Sequence, residues 1–421
     1  MSSTRITEPL GGCRPHCRLP SVVHRDQFRT VRLSLRRQVP SRCAVRVAFD
    51  ARFIDDRYHG VGRYAYQLLD ALARLAPGDT FLAIHDPRRP STRLPLAPVL
   101  SLPNVVAYPL AVGIYAPQEQ PALALALMLA RADVCFVPYF PAPLFAPCPI
   151  VTTVHDLIFD LEPRYQHGRW VRYYYRPMMW LSARRATRIV VVSESTARDL
   201  GALYGADPRK VVVALEAAAP QFRTVTDPAV LADVRRRYDL PERFIMALSV
   251  RRPHKNLAAL IEAFGRIAGR IPQDLVLVGE RHGRYDDDVP AAIARLGLGP
   301  RVRELGWVSD DDTPALYTLA ELFVMPSLLE GFGLPPLEAM SCGTAVAVSN
   351  TSSLPEVVAD AGSLFDPRDP ADIARALEKL ALDDALRQGL AARGQARAAE
   401  FTWERTAGVV LRALRAAARR S

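Results

Sequence analysis

The segment EGFGLPPLEAM, residues 330–340, carries two carboxylates that could bind hydroxyl groups or exchange protons. Their spacing of eight residues would place Glu330 and Glu338 on nearly one face of a continuous helix. The glycines and prolines between them disfavour such a helix. A strand-like run, LFVMPS, precedes the segment, so we expect Glu330 in a loop and Glu338 in the first turn of the following helix. The two carboxylates would then face different parts of one ligand.

The residues between the two glutamates support this division. Pro335 and Pro336 suit the start of a helix, where a missing N–H leaves no hydrogen bond unmade. Gly331 and Gly333 would let the backbone amides around Phe332 approach a ligand closely. An acid in a first helical turn also suits helix capping, which is the alternative for Glu338.

A basic cluster occurs in SVRRPHKNL, where Arg251, Arg252, His254 and Lys255 follow an apolar strand and precede a helix predicted over 256–269. Cations at a helix N-terminus oppose the helix dipole and repel one another. The cluster is therefore typical of an anion site that combines helix amides with cationic side chains. Lys255 is one of three lysines in a chain that otherwise uses arginine, which favours a specific role. A solvated basic loop is the alternative.

His155 ends the apolar run VTTVH, at the carboxyl end of a predicted strand, where ligands of α/β proteins bind. A surface-loop histidine is the alternative. A second candidate, GVGRYA, fits G-x-G-x-x-[GA] but follows its strand too distantly for a dinucleotide turn. We interpret Gly60, Gly62, Arg63 and Tyr64 as a glycine loop that faces a cleft and admits a substrate. A helix start that follows a flexible loop is the alternative.

Alternating short apolar strands and helices position these residues and predict parallel sheets covered on both faces. The pattern loosens near residue 218 and restarts at 243, which predicts two doubly wound, Rossmann-like α/β domains facing a central cleft. The predicted divisions are a basic, disordered extension (1–43), an N-terminal domain (44–220), a C-terminal domain (221–398) and a basic helix packing back on the N-terminal domain (399–421).

Charge and composition exclude several classes of protein. The net charge is +10, of which +7 lies in 1–43, so the body of the chain does not resemble a nucleic-acid-binding protein. Six cysteines without a C-x-x-C pair indicate neither zinc nor disulfides and favour a reducing, cytoplasmic location. The segment 169–185 mixes arginines with Trp170, Tyr173 and Trp180. This mixture suits either peripheral contact with an anionic membrane or a buried helix with extended arginines.

Together these motifs resemble the retaining glycosyltransferases of the GT-B fold, in particular glycosyltransferase family 4, over about residues 45–410. The order of the motifs matches: a glycine loop, His155, the basic cluster and two glutamates eight residues apart. The short sequences HDLI and RRPHKNL are most similar to those of bacterial mannosyltransferase-like members that build surface polysaccharides. The resemblance departs from many members at Val250, where they carry an arginine, so it leaves open whether Arg251 or Arg252 grips phosphate.

The resemblance implies a hexosyltransferase that moves a sugar, with mannose from GDP-mannose as the first choice, to a saccharide or lipid-linked saccharide acceptor. It implies front-face attack with retention, no metal or other cofactor, and an acceptor-binding N-terminal domain that includes the 60–64 loop. It implies catalytic roles for His155, Glu330 and Lys255, ribose binding by Glu338, and diphosphate binding by Arg251, Arg252, Lys255, Gly331, Phe332 and Gly333. A non-catalytic GT-B subunit, an epimerase or phosphorylase of the same architecture, and a basic binding module remain alternatives.

Overall fold

A computed structural model describes residues 44–57, 59–166, 169–281 and 288–419. In this part of the chain, helices cover two separate sheets of parallel strands, which confirms the predicted α/β fold class. The predicted extension over 1–43 lies outside the described residues. Within them, no helix combines the length and apolar composition needed to cross a membrane.

Seven described strands form the first sheet: β1 Arg46–Asp50, β2 Thr80–His85, β3 Val105–Pro109, β4 Val134–Val137, β5 Ile150–Val154, β6 Arg188–Val191 and β7 Val211–Val213. Their order is β3-β2-β1-β4-β5-β6-β7, and neighbours are parallel. The chain thus winds outward in both directions from β1 and β4, as in a doubly wound fold. The carboxyl ends of all these strands therefore meet at one edge of the sheet.

The helices of this first domain are α1 His59–Leu75, α2 Ala97–Leu100, α3 Glu119–Ala130, α4 Ile158–Leu161, α5 Pro163–Gln166, α6 Arg176–Arg185 and α7 Glu194–Tyr204. A π-helical turn, Val171–Tyr175, leads into α6. Ser193 caps α7, because its side chain accepts a hydrogen bond from the Thr196 amide. Gly205 ends the same helix in the left-handed conformation that glycine adopts readily.

The second sheet has the order β10-β9-β8-β11-β12-β13, again with parallel neighbours. Its strands are β8 Phe244–Leu248, β9 Asp274–Val278, β10 Val302–Leu305, β11 Leu322–Met325, β12 Ala345–Ser349 and β13 Ser363–Phe365. Its helices are α8 Pro228–Arg237, α9 Leu257–Ile267, α10 Val289–Arg295, α11 Thr313–Leu319, α12 Leu334–Ser341, α13 Leu354–Val358, α14 Pro370–Leu382 and α15 Asp384–Ala398. The strand order reverses between β8 and β11, which places the basic cluster and the 330–340 segment side by side.

The last described helix, α16 Trp403–Ala418, returns to the first domain and packs on α1 and on β4, β5 and β6. Its buried face includes Ala407, Val410 and Leu414, which join the core of the first sheet. Arg415 donates a hydrogen bond to Asp79 at 2.9 Å. Helix α16 therefore completes the hydrophobic core of the first domain.

Candidate active site

Lys255 and Glu330 come from two different motifs and meet at the carboxyl ends of the central strands of the second sheet. Lys255 follows β8, and its Nζ donates a hydrogen bond to Glu330 Oε1 at 2.6 Å. Both side chains are largely buried, at 17% and 10% exposure. In such a setting a cation and a carboxylate attract each other more strongly than at an exposed surface. The structure thus brings together two of the three predicted catalytic residues.

The two arginines of the basic cluster have different surroundings. Arg251 is buried and pairs with Glu304 of β10. Arg252 is exposed, and its guanidinium has no hydrogen bond or ion pair among the described residues. Arg252 is therefore more accessible to an anion than the buried Arg251. Which of the two arginines binds phosphate stays a prediction.

Gly331 lies where the two domains touch. A Cβ atom at this position would lie 2.2 Å from the carbonyl oxygen of His155. The Gly331 carbonyl oxygen accepts a hydrogen bond from Ser193 Oγ, at the start of α7, at 2.7 Å. Glycine is therefore required here for close contact between domains, a reason that the sequence did not indicate. Gly333 has a φ of 120°, which also favours glycine.

The backbone amides of Gly331, Phe332 and Gly333 donate no hydrogen bond to any other described residue. Phe332 is itself buried, and its carbonyl oxygen accepts from Ser353 at 2.6 Å. Backbone N–H groups that lack a protein partner need another acceptor, such as water or an anion. Three consecutive amides of this kind fit the predicted role of this turn in binding diphosphate oxygens.

His155 follows β5, and both of its ring nitrogens are engaged within the first domain. Nδ1 lies 3.0 Å from Glu216 Oε1, and Nε2 lies 2.8 Å from the carbonyl oxygen of Pro138. A carboxylate and a carbonyl oxygen both accept hydrogen bonds, so this geometry suits a ring that carries a proton on each nitrogen. Burial opposes this charge, but the hydrogen bond and the charge of Glu216 raise the pKa of His155 above its usual value. Glu216 is a site residue that sequence reasoning missed, although it stands alone in the apolar run VVVALEAAA.

The ring of His155 therefore has no free nitrogen for the donor-sugar contact that the resemblance implied. Its contact with the second domain is made by the backbone, through the carbonyl oxygen that faces Gly331. The same oxygen accepts a hydrogen bond from Thr196 Oγ1 at 3.1 Å. His155 thus contributes a side-chain pair with Glu216 inside the first domain and a backbone contact at the domain boundary.

Glu338 is buried in α12, four residues after the helix begins, so the predicted position in the first turn is wrong. Helix capping is thereby excluded as its role. Oε1 accepts a hydrogen bond from Arg63 of the first domain at 2.7 Å, and Oε2 accepts one from the Tyr317 hydroxyl at 3.2 Å. Burial raises the pKa of Glu338, and the positive charge of Arg63 opposes that effect. The carboxylate is thus held by one residue from each domain.

The predicted glycine loop at 60–64 is also wrong, and its alternative, a helix start, is confirmed, because these residues form the first turns of α1. Gly62 packs so closely on the preceding turn that a Cβ atom would lie 3.0 Å from the carbonyl oxygen of Phe53. Tyr64 is fully buried and packs edge-on against the His155 ring, with centroids 4.6 Å apart. Tyr64 therefore packs against His155 within the first domain, whereas Arg63 contacts Glu338 of the second domain.

His254 is part of the basic cluster in the sequence, but its side chain is neutral in the structure. It is buried, and its Nδ1 forms a 2.9 Å hydrogen bond with the hydroxyl of Tyr165 in α5. Burial, followed by the charges of Lys255 and Arg252, lowers the pKa of His254 to about 2. The residue is therefore a neutral link between the two domains, which the sequence did not predict.

Acidification is expected to destabilise the protein through His254. In the unfolded chain a histidine titrates at about 6.5, so below that pH the unfolded state binds a proton that the folded state excludes. This residue alone lowers the free energy of unfolding by up to about 1.4 kcal/mol per pH unit as the pH falls below about 6.5. We expect His254→Gln, measured by urea unfolding, to show a shallower decline between about pH 7 and pH 5. Parallel pH profiles for the two proteins would contradict this expectation.

The described residues contain no group of three or more His, Cys, Asp or Glu side chains arranged to hold a metal ion. Two cation–carboxylate pairs do form. Lys255–Glu330 lies at the strand ends of the second sheet, and Arg63–Glu338 joins the first domain to the second. Such an architecture, with its site between the domains, is that of the GT-B glycosyltransferases.

Comparison with known proteins agrees with this class. The model for Glycosyltransferase Family 4 matches residues 58–215, and the model for glycosyl transferases group 1 matches residues 233–397. The chain belongs to the group 1 glycosyltransferases. A glycosyltransferase from Rickettsia africae superposes with a TM-score of 0.70 at 18% identity, over 90% of this chain and 100% of that one, which confirms the fold.

Two curated relatives come from Escherichia coli. The serotype-specific mannosyltransferase WbdA is 34% identical over 63% of this chain and 33% of its own length. The O-antigen chain mannosyltransferase B is 35% identical over 60% of this chain and 67% of its own length. The aligned region therefore spans about a third of WbdA and two thirds of the second relative.

Proposed function

We propose that this protein transfers a glycosyl unit, with mannose as the first choice, from a nucleotide diphosphate sugar to an acceptor hydroxyl in polysaccharide or glycolipid synthesis. The observation that carries this proposal is the ion pair between the two predicted donor-binding motifs. Lys255 Nζ lies 2.6 Å from Glu330 Oε1. Membership of the group 1 glycosyltransferases supports the class of reaction. The names of the two E. coli relatives support mannose as the sugar. GDP-mannose, which the sequence resemblance implied, is the first donor to test.

Charge and geometry support specific roles around the donor. Lys255 and Arg252 neutralise the diphosphate, and the amides of Gly331, Phe332 and Gly333 donate to its oxygens. Arg251, which is buried and paired with Glu304, would add positive charge to the same loop. Glu330 accepts hydrogen bonds from sugar hydroxyls, and Glu338 accepts them from the ribose. The N-terminal domain binds the acceptor.

The rate enhancement in this proposal is electrostatic. Negative charge develops on the diphosphate as the glycosidic bond breaks, and cations and amides placed beforehand stabilise it without reorganising. A proton held on the His155 ring, whose charge Glu216 partly offsets, would add to this stabilisation from the first domain. Glu330 is held by Lys255 rather than left free as a nucleophile, which favours front-face attack with retention over a double displacement. The roles proposed here require no metal ion.

Stereochemical analysis tests this proposal. The full-length protein would be incubated with GDP-mannose, UDP-glucose and UDP-galactose, with water and simple mannosides as acceptors, and the products followed by NMR. We expect one donor to be consumed and the first product to keep the donor's anomeric configuration. Inversion would overturn the retaining mechanism, and saturable donor binding without any turnover would favour a non-catalytic subunit.

A surface on the first domain fits the peripheral membrane contact that the sequence left open. The outer side of α3 exposes Leu125, Met128 and Leu129. The middle of α6 exposes Trp180, with the Arg184 guanidinium stacked on it at 4.1 Å. The loop 143–146 connects the two helices, because Arg185 donates to the Leu144 carbonyl oxygen and the Leu144 amide donates to Gln120. Apolar side chains mixed with arginines are typical of surfaces that bind anionic lipid headgroups.

We expect the double variant Trp180→Gln/Arg184→Gln to bind vesicles containing phosphatidylglycerol more weakly. Each arginine near an anionic surface contributes about 1 kcal/mol, and the indole adds apolar burial. Flotation of wild type and variant with anionic and neutral vesicles measures the effect. Arg412→Gln, which removes an exposed arginine from α16, is the matched control and should bind like the wild type. Equal binding of all three proteins would exclude this surface as the contact.

A further inference from the structure

Arg63 makes an ion pair that no motif predicts, and it does so with the carboxylate proposed to bind ribose. Its guanidinium donates to Glu338 Oε1 at 2.7 Å and to Asp310 Oδ1 at 3.2 Å. Arg93, also from the first domain, donates to the other oxygen of Asp310 at 2.5 Å. Two arginines of the first domain therefore face two carboxylates of the second.

The position of Arg63 limits access to Glu338. The Glu338 side chain is 5% exposed, whereas that of Arg63 is 19% exposed. Tyr317, which holds the second carboxylate oxygen, is fully buried and lies on the inner side. A ligand hydroxyl can therefore reach Glu338 only from the side that Arg63 covers.

Asp310 gives the guanidinium a second partner. It accepts from Arg63 on one oxygen and from Arg93 on the other, and its side chain is 32% exposed. An arginine displaced from Glu338 would thus keep a carboxylate partner rather than lose both, which lowers the free energy needed to move it. The Arg63 guanidinium also lies 5.7 Å from the ring centroid of Phe222, a residue of the segment that connects the two domains.

We propose that Arg63 competes with the ribose diol of the donor for Glu338, so that nucleotide binding breaks a specific contact between the two domains. The inference rests on the proposed function, because it takes Glu338 as the ribose-binding carboxylate. Arg63 is then a residue that sets nucleotide affinity and couples it to the arrangement of the domains. A ligand that must displace a contact binds more weakly than one that meets an open site.

Calorimetric titration of the full-length protein tests this inference. The probes are GDP, UDP and ADP, each beside its 2′,3′-dideoxy counterpart, which has the same base and diphosphate but no diol. We expect Arg63→Met to tighten binding of the preferred ribonucleotide by about fivefold or more, which is a typical coupling between sites. Binding of the dideoxy nucleotide should not change. Arg93→Met, which removes a cation from Asp310 without touching Glu338, should match the wild type for both.

Other outcomes separate the inference from the function on which it rests. If Arg63→Met binds the ribonucleotide no more tightly, or tightens both nucleotides equally, competition at Glu338 is overturned while the donor site stands. If the wild type binds none of the six nucleotides, the proposed function is itself contradicted, and the inference falls with it.

Hydrogen exchange on the wild type gives a second readout if the variant does not fold. GDP, or whichever ribonucleotide binds, should increase exchange of the amides at the start of α1, where Arg63 lies. The dideoxy form should not. An equal response to both nucleotides would overturn the inference.

Discussion

Lys255→Met is expected to lower kcat for glycosyl transfer by about 10²–10³-fold, the usual effect of removing one donor that stabilises a developing negative charge. Methionine keeps an unbranched stem of similar length and removes the ammonium that pairs with Glu330. The loss should appear in kcat as well as in donor affinity, because the charge on the diphosphate grows as the bond breaks. Steady-state kinetics with the preferred donor measures both parameters.

Lys379→Met is the matched control for this variant. Lys379 is an exposed lysine on α14, so its replacement removes the same charge from the same protein without entering the site. It should retain the wild-type rate. A Lys255→Met enzyme that turns over like the control would remove the electrostatic mechanism proposed for this protein.

Gly331→Ala is expected to reduce both stability and activity. The new Cβ would lie 2.2 Å from the His155 carbonyl oxygen, so either the 330–333 turn or the end of β5 must move. Strain from an added methyl group at a close-packed position is typically about 1–3 kcal/mol. Because that movement also displaces the amides proposed to bind the diphosphate, activity should fall further than stability alone explains. Urea unfolding and steady-state kinetics on the same preparation separate the two effects.

Gly201→Ala provides the control for the alanine substitution. Gly201 lies inside α7 and has open space where the added methyl group would lie, so alanine should stabilise the helix by up to about 1 kcal/mol. Wild-type stability and activity in Gly331→Ala would show that the close contact between the domains is dispensable.

The central strands of both sheets could be predicted from the sequence, whereas three edge strands could not. β3, β7 and β13 are sheet edges, and all three residues of β7 are only partly buried. A strand covered on both faces reads as an apolar run, but an edge strand carries a weaker pattern. The predicted strands β5, β8 and β11 were sufficient to place His155, Lys255 and Glu330 after strand ends.

The contacts between the domains could not be predicted in the same way. Arg63 and Glu338, or Tyr165 and His254, lie far apart in the sequence and meet only through the arrangement of two separately folded sheets. The GVGRYA motif drew attention to Arg63, but nothing in it indicates Glu338 as the partner. Glu216 carried a signal, a single acid in an apolar run, but its partner His155 is fixed by the adjacency of β5, β6 and β7.

The most direct test of the central claim is a calorimetric titration of the wild-type protein and Lys255→Met with GDP-mannose and, in parallel, UDP-glucose. A donor site built from Lys255, Glu330 and the 331–333 amides predicts saturable binding of one donor to the wild type and clearly weaker binding to the variant. Absence of binding to the wild type, or equal affinity in both proteins, would contradict the assignment of this cluster as the donor site.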